Sequence, residues 1–231
     1  MVCLQGIEVA RMDADKVAIS PIDVRTLVLV LLGIMAVEVP LRTVAWHEAV
    51  SPLVLLGVSR LIEATLIVGV VRIAEKGISA VGLSPGTALP GFRRGLVWSG
   101  GFGGIACLVS GFLLAVGVDP LPFINTPLPI GTGDVILFFL VGGIISPVAE
   151  ELLFRGVVYG FLRRWGSITA IVLSTLVFVL AHRAFSGFPF NPVVGGIVFA
   201  IGYETEKNLM VPITLHVMGN LAIFAISLLG G

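Results

Sequence analysis

Seven apolar runs dominate the chain, at about 26–45, 52–73, 95–118, 134–162, 167–183, 191–205 and 211–229. A helix that spans a bilayer needs roughly 20 mainly apolar residues, so each run predicts a spanning or near-spanning helix. The run at 191–205 is short for a full crossing and 134–162 is long. The expected fold is all-α, a polytopic transmembrane bundle of about seven to eight helical segments.

Between the runs, the loop at 74–94 carries Lys76, Pro85, Pro90, Arg93 and Arg94 and reads as interfacial. The loop at 119–133 has Pro120, Pro122, Pro127 and Pro129 and no basic residue. If every run crosses once, Arg11, Lys16, Arg25, Arg72, Lys76, Arg93, Arg94, Arg163, Arg164 and Lys207 share one side, against Arg42 and Arg183 on the other. That bias predicts a cytoplasmic N-terminus, with the cell membrane as the expected location. Residues 1–25 contain Glu8, Arg11, Asp13, Asp15 and Lys16 without an apolar core or small-residue cleavage site, so they read as a cytoplasmic tail, not a cleaved signal. No internal repeat is visible, and residues 26–231 read as a single transmembrane domain. Gly100, Gly101, Gly103, Gly104, Gly142, Gly143, Gly195 and Gly196 are expected at seams where helices approach closely.

Composition agrees with a lipid environment. Apolar residues make up 57% and charged residues 12%, and the mean hydropathy is +1.09; a soluble domain needs far more charge to cover its surface. Fourteen basic residues balance fourteen acidic ones with no basic run, which argues against nucleic acid as a partner. The two cysteines, Cys3 in the tail and Cys107 in an apolar run, support neither a disulfide framework nor a cysteine zinc site.

Charges inside spans are costly, and each needs a reason. Glu38 and Arg42 are four apart, and Arg60 and Glu63 three apart, so both read as self-neutralised pairs on one helix face. Pro147-Val-Ala-Glu150-Glu151-Leu-Leu-Phe-Arg155 is different. Arg155 lies about 40° around the helix from Glu151 but about 140° from Glu150. Glu151 is therefore expected to be neutralised, and Glu150 to remain free for proton transfer. Pro147 removes the donor to the Gly143 carbonyl and allows a bend. Downstream, Phe178 and His182 share a face, as do His216 and Asn220, both by spacings of four. His47, beside Glu48 between the first two runs, reads as a loop residue.

Together these stretches resemble the CAAX-processing and bacteriocin-processing (CPBP, or Abi) intramembrane proteases. That family is marked by Glu-Glu-x-x-x-Arg, Phe-x-x-x-His and His-x-x-x-Asn on successive membrane helices. They stand here as Glu150-Glu151 to Arg155, Phe178 to His182 and His216 to Asn220. The resemblance covers about 140–229. It extends to the turn before the last helix, where this chain has Glu206-Lys207 in place of one glycine. It implies an all-helical bundle around a polar intramembrane cavity, and an endopeptidase acting on a peptide or protein substrate that enters from the membrane. It also implies roles: Glu150 with His182 activating water, His216 and Asn220 holding the oxyanion, Glu151, Arg155 and Phe178 in support. Eukaryotic members of that family cut prenylated CAAX tails, while bacterial ones act on other peptides or have no assigned substrate, so the resemblance does not specify the substrate.

Several alternatives stand beside this reading. A divalent metal such as zinc would take Glu150, His182 and His216 as ligands, although no His-Glu-x-x-His occurs and a metal-free route is favoured. Gly131-Thr-Gly-Asp134 fits the string of aspartyl intramembrane proteases, but no second aspartate lies in an apolar run, so Asp134 reads as a helix cap. A proton-coupled transporter, or an inactive adaptor or immunity protein on the same fold, uses similar residues. One geometric question is open: His182 closes a run rising from Arg164, while His216 opens one rising from Lys207. That sets the two at different depths unless 191–205 is re-entrant or the helices tilt.

Overall fold

The computed structural model describes residues 21–47, 51–182 and 189–230; the expected tail to residue 20, with Cys3, and Glu48 and Arg183 lie outside them. The helices are α1 (Val24–His47), α2 (Pro52–Ala74), α3 (Pro85–Ala115), the short α4 (Leu121–Ile124), α5 (Thr132–Trp165), α6 (Ser167–His182), α7 (Phe190–Glu206) and α8 (Met210–Gly230). There is no strand among the described residues. Among the described residues, five stretches are long and apolar enough to cross a membrane: Val24–Leu41, Pro52–Ala74, Ile78–Ala115, Thr132–Trp165 and Met210–Gly230. The protein is a multi-pass integral membrane protein. Of the seven runs, α6 and α7 fall short, at 16 and 17 residues.

The bundle is apolar outside, and its largely apolar core encloses a set of buried polar and charged side chains. Leu108, Phe112, Val172 and Leu176 are among many large apolar side chains exposed on outer faces, whereas Glu63, Glu151, Arg155 and His216 are buried. Lipid solvates the first group, so the second must find partners within the protein.

Helix α3 begins ten residues before its apolar run, so the expected loop at 74–94 shrinks to 75–84. Pro85 opens the helix, a position where its missing N–H costs nothing, whereas Pro90 lies inside it and leaves the Gly86 carbonyl without a helical donor. This early part of α3 makes the close approach. A side-chain carbon at Gly91 would collide with the Asn208 side-chain amide, and one at Gly95 would lie 2.5 Å from Thr214 Cβ. Gly100, Gly101, Gly103 and Gly104, expected at seams, instead face open space. That half of α3 lies on the outer surface, beside exposed Ile105 and Leu108. Gly143 and Gly196 do occupy seams, against Leu221 and Thr175.

Charged contacts also differ in part from the expected pairs. Arg60 Nη1 donates to Glu63 Oε2 at 2.5 Å on its own helix, and Arg60 Nη2 also lies 3.7 Å from Glu38 Oε1 of α1. His47 is the last residue of α1 and not a loop residue, and the Glu38–Arg42 pair involves a side chain outside the described residues. Asp134 lies in the first turn of α5 and Gly131 takes the cap position, so Asp134 is not the cap.

The last helices set the level of the site. Gly166, in the left-handed region at φ +99°, turns α5 back into α6. Glu150 stands sixteen residues before this turn and His182 sixteen after it, so the hairpin brings them level. Helix α7 does not return as far. It ends at Glu206, and Lys207 takes the left-handed conformation (φ +52°) where the resembled turn has glycine. Leu209 then donates its N–H to the Gly82 carbonyl at 3.2 Å and is fully buried beside Gly156. Glu204 fastens this end, accepting from Tyr159 Oη at 2.6 Å, Arg163 Nε at 2.8 Å and Lys207 Nζ at 2.7 Å. The turn into α8 is therefore buried about six residues below Glu150, and His216, seven residues beyond Leu209, rises to the same level. This answers the depth question.

Candidate active site

Helix α5 supplies the two carboxylates through an unusual backbone. Its Val141–Ile145 and Leu152–Tyr159 stretches are wide-turned π-helix, with ordinary α-helix at Ser146–Glu151 between them. Such turns are rare and recur at functional sites. In the first of them Ser146 donates to the Val141 carbonyl, five residues back. The carbonyl opposite residue 147 in this register is Gly142, not the Gly143 expected for a regular helix. Pro147 has no N–H to give it. Asn220 Nδ2 donates to the Gly142 oxygen instead, at 2.9 Å.

Glu151 and Arg155 form the buried anchor. Arg155 Nη1 donates to Glu151 Oε1 at 2.8 Å, and neither side chain has any exposure. Arg155 Nη2 reaches across to the Gly196 carbonyl of α7 at 3.0 Å. Its guanidinium lies 4.6 Å from the centre of the Phe178 ring and 5.3 Å from that of Phe199. One cation thus ties α5, α6 and α7 together, while Arg155 Nε and Glu151 Oε2 are buried without a hydrogen-bond partner among the described residues.

Glu150 has no partner on its own helix. Its Oε2 lies 3.5 Å from His182 Nε2 and 3.8 Å from His216 Nε2. Each imidazole is oriented by its other nitrogen. His182 Nδ1 is 2.8 Å from the Phe178 carbonyl, an acceptor only, so this nitrogen carries the proton. His216 Nδ1 donates to Glu151 Oε1 at 2.7 Å, and the His216 ring stacks on Phe199 at 4.6 Å. In both rings Nε2 is left facing Glu150. Phe178, almost fully buried, touches the His182 ring at 4.2 Å between centres and forms the floor beneath both histidines.

Of the residues expected at the site, Glu150, Glu151, Arg155, Phe178, His182 and His216 are in mutual contact, and Asn220 joins them through the Gly142 carbonyl of α5. The structure adds Ser146. It is buried one turn before Glu150 on the same face, and its hydroxyl has no partner among the described residues. Its spacing of four from Glu150 was the available signal.

A metal would need Glu150, His182 and His216 drawn together as ligands. Among the described residues no group of three histidine, cysteine, aspartate or glutamate side chains has an arrangement suited to holding a metal ion.

Residues 132–222 match the family model described as Type II CAAX prenyl endopeptidase Rce1-like. A stretch of 95 residues, 37% of this chain, is 37% identical to the "Membrane-embedded CAAX protease MroQ" of Staphylococcus aureus (strain USA300), covering 36% of that protein. A stretch of 85 residues, 36% of this chain, is 29% identical to the "Putative membrane peptidase YdiL" of Bacillus subtilis (strain 168), covering 34% of it. The matched stretches span about a third of the length of these relatives. No solved structure matches.

Proposed function

We propose, from the match of residues 132–222 to the Rce1-like CAAX prenyl endopeptidase model and from the resemblance to the CAAX-processing and bacteriocin-processing membrane proteases, that this chain is an endopeptidase hydrolysing peptide bonds within the membrane. The observation that carries the reading is an asymmetry between neighbours: Glu151 is neutralised by Arg155, while Glu150 faces two oriented imidazoles and no cation on its own helix.

The chemistry follows from that arrangement. A water held between Glu150 and His182 gives a proton to the carboxylate as its oxygen adds to the peptide carbonyl carbon. The carbonyl oxygen becomes an oxyanion and needs donors on the opposite side. His216 is one such donor when its Nε2 carries a proton of its own, separate from the one that Glu150 takes from the water, since its Nδ1–H is committed to Glu151. Asn220 has one amide N–H committed to the Gly142 carbonyl, which leaves a single N–H for that wall. Collapse of the intermediate breaks the C–N bond, and the proton held by Glu150 and His182 passes to the leaving amine. All these steps run on protein groups.

The substrate is a membrane-associated peptide or protein, which approaches through lipid. The basic residues orient the N-terminus toward the cytoplasm, with one transmembrane domain from residue 26 onward in the cell membrane. The test is cleavage of membrane peptides by the purified protein in liposomes. Wild type should produce new peptide ends and Glu150→Gln none. Solute flux without hydrolysis would point to a carrier instead.

A further inference from the structure

We propose that Asn220 is a positioning residue: its side-chain amide replaces the backbone donor that Pro147 lacks, and so holds α5 in the register that aims Glu150 at the histidines. The proposal rests on the reading of Glu150 as the water-activating group.

The Gly142 carbonyl has two possible backbone donors, and both are ruled out. Ser146, four residues on, gives its N–H to Val141, and Pro147, five residues on, has none. A carbonyl without a donor is costly away from water, and neighbouring side chains in membrane helices commonly repair the gap left by proline. Asn220 does so at 2.9 Å. It can reach because α8 lies directly against this stretch. A side-chain carbon at Gly143 would come within 2.7 Å of Leu221, and one at Gly142 within 3.4 Å of Phe224.

The consequence for the site is rotational. In a regular α-helix Ser146 would donate to Gly142 and the vacancy would pass to Gly143. The wide turn inserts one residue, so everything beyond it is rotated by about 100° relative to the regular form. Glu150 and Glu151 come three and four residues after Pro147, in the very next turn. A donor fixed on the Gly142 oxygen favours the wide form, and its loss frees α5 to return to the regular one. Asn220 thus acts through Glu150, whatever its second N–H does.

Two readouts test this. The first uses ¹³C-carbonyl and ¹⁵N glycine in the full chain in detergent. Only the five Gly–Gly pairs then give carbonyl-to-amide cross-peaks, and that of Gly143 reports the Gly142 carbonyl. Asn220→Ala should move the Gly143 peak while those of Gly101 and Gly104 stay in place. An unmoved Gly143 peak would overturn the proposal. The second readout is kcat. Asn220→Ala should lower it by about 10²-fold, the scale of a small misplacement of reacting groups. On a Pro147→Ala background, where residue 147 has its own N–H, the same substitution should cost much less. An undiminished loss there would overturn the positioning role and leave Asn220 with its oxyanion contact alone. If the Gly143 peak moves but no variant, wild type included, cleaves peptide, the positioning role stands and the protease reading fails.

Discussion

His216 Nδ1 donates to Glu151 Oε1 at 2.7 Å, and this bond decides which nitrogen of the ring faces Glu150. Glu151 therefore serves two ends at once, because the same oxygen also accepts from Arg155. Glu151→Gln keeps a carbonyl oxygen for Arg155 but removes the charge opposite a fully buried guanidinium. It should lower stability by about 3 kcal/mol, the smaller end of the cost of breaking a buried pair. It should also reduce kcat of the folded fraction, since an amide can no longer enforce one ring tautomer. Denaturation monitored in detergent, together with active-fraction kinetics, separates the two effects.

Glu150 is expected to behave in the opposite way. It lacks an intrahelical cation and is partly exposed, so Glu150→Gln should leave stability within about 1 kcal/mol of wild type. Cleavage should fall by at least ~10³-fold, within the range for loss of a general base. A strongly destabilised but active Glu150→Gln protein would exchange the roles of the two glutamates.

How much of this was legible in the sequence depends on the range of each interaction. The Glu151–Arg155 pair lies on one helix, so a spacing of four was sufficient. The depth of His216 was not readable, because it depends on where α7 stops. That point is fixed by long-range contacts of Leu209 with Gly82 and of Glu204 with Tyr159 and Arg163. Pro147 was recognisable as a helix defect. The carbonyl it leaves vacant shifted by one residue because a wide turn has no sequence signature. Arg60 was correctly matched with Glu63, but helical spacing could not reveal its second neighbour, Glu38 on α1.

The glycines of α3 give a test of packing independent of chemistry. Gly91→Ala and Gly95→Ala each force a carbon against Asn208 or Thr214 and should destabilise by about 1–3 kcal/mol, the usual cost of overpacking. Gly100→Ala and Gly104→Ala face open space and should be neutral or slightly stabilising through better helix propensity. Thermal unfolding of the four variants in one detergent makes the comparison. Equal effects at all four positions would mean that α3 meets α8 differently.

The role of metal is separable from that of the protein groups. The steps proposed for Glu150, His182 and His216 predict that purified protein retains cleavage after exhaustive chelation, without stoichiometric zinc by elemental analysis. Loss of activity on chelation, restored by added metal, would assign these three side chains to an ion instead.

The most direct measurement concerns peptide ends formed in the membrane itself. Membranes from cells expressing wild type or Glu150→Gln are incubated in H₂¹⁸O, and new peptide C-termini are identified by mass spectrometry. Hydrolysis driven by Glu150 predicts a set of C-termini that carry one ¹⁸O and occur with wild type only. The same labelled termini at equal abundance in both membranes would contradict it.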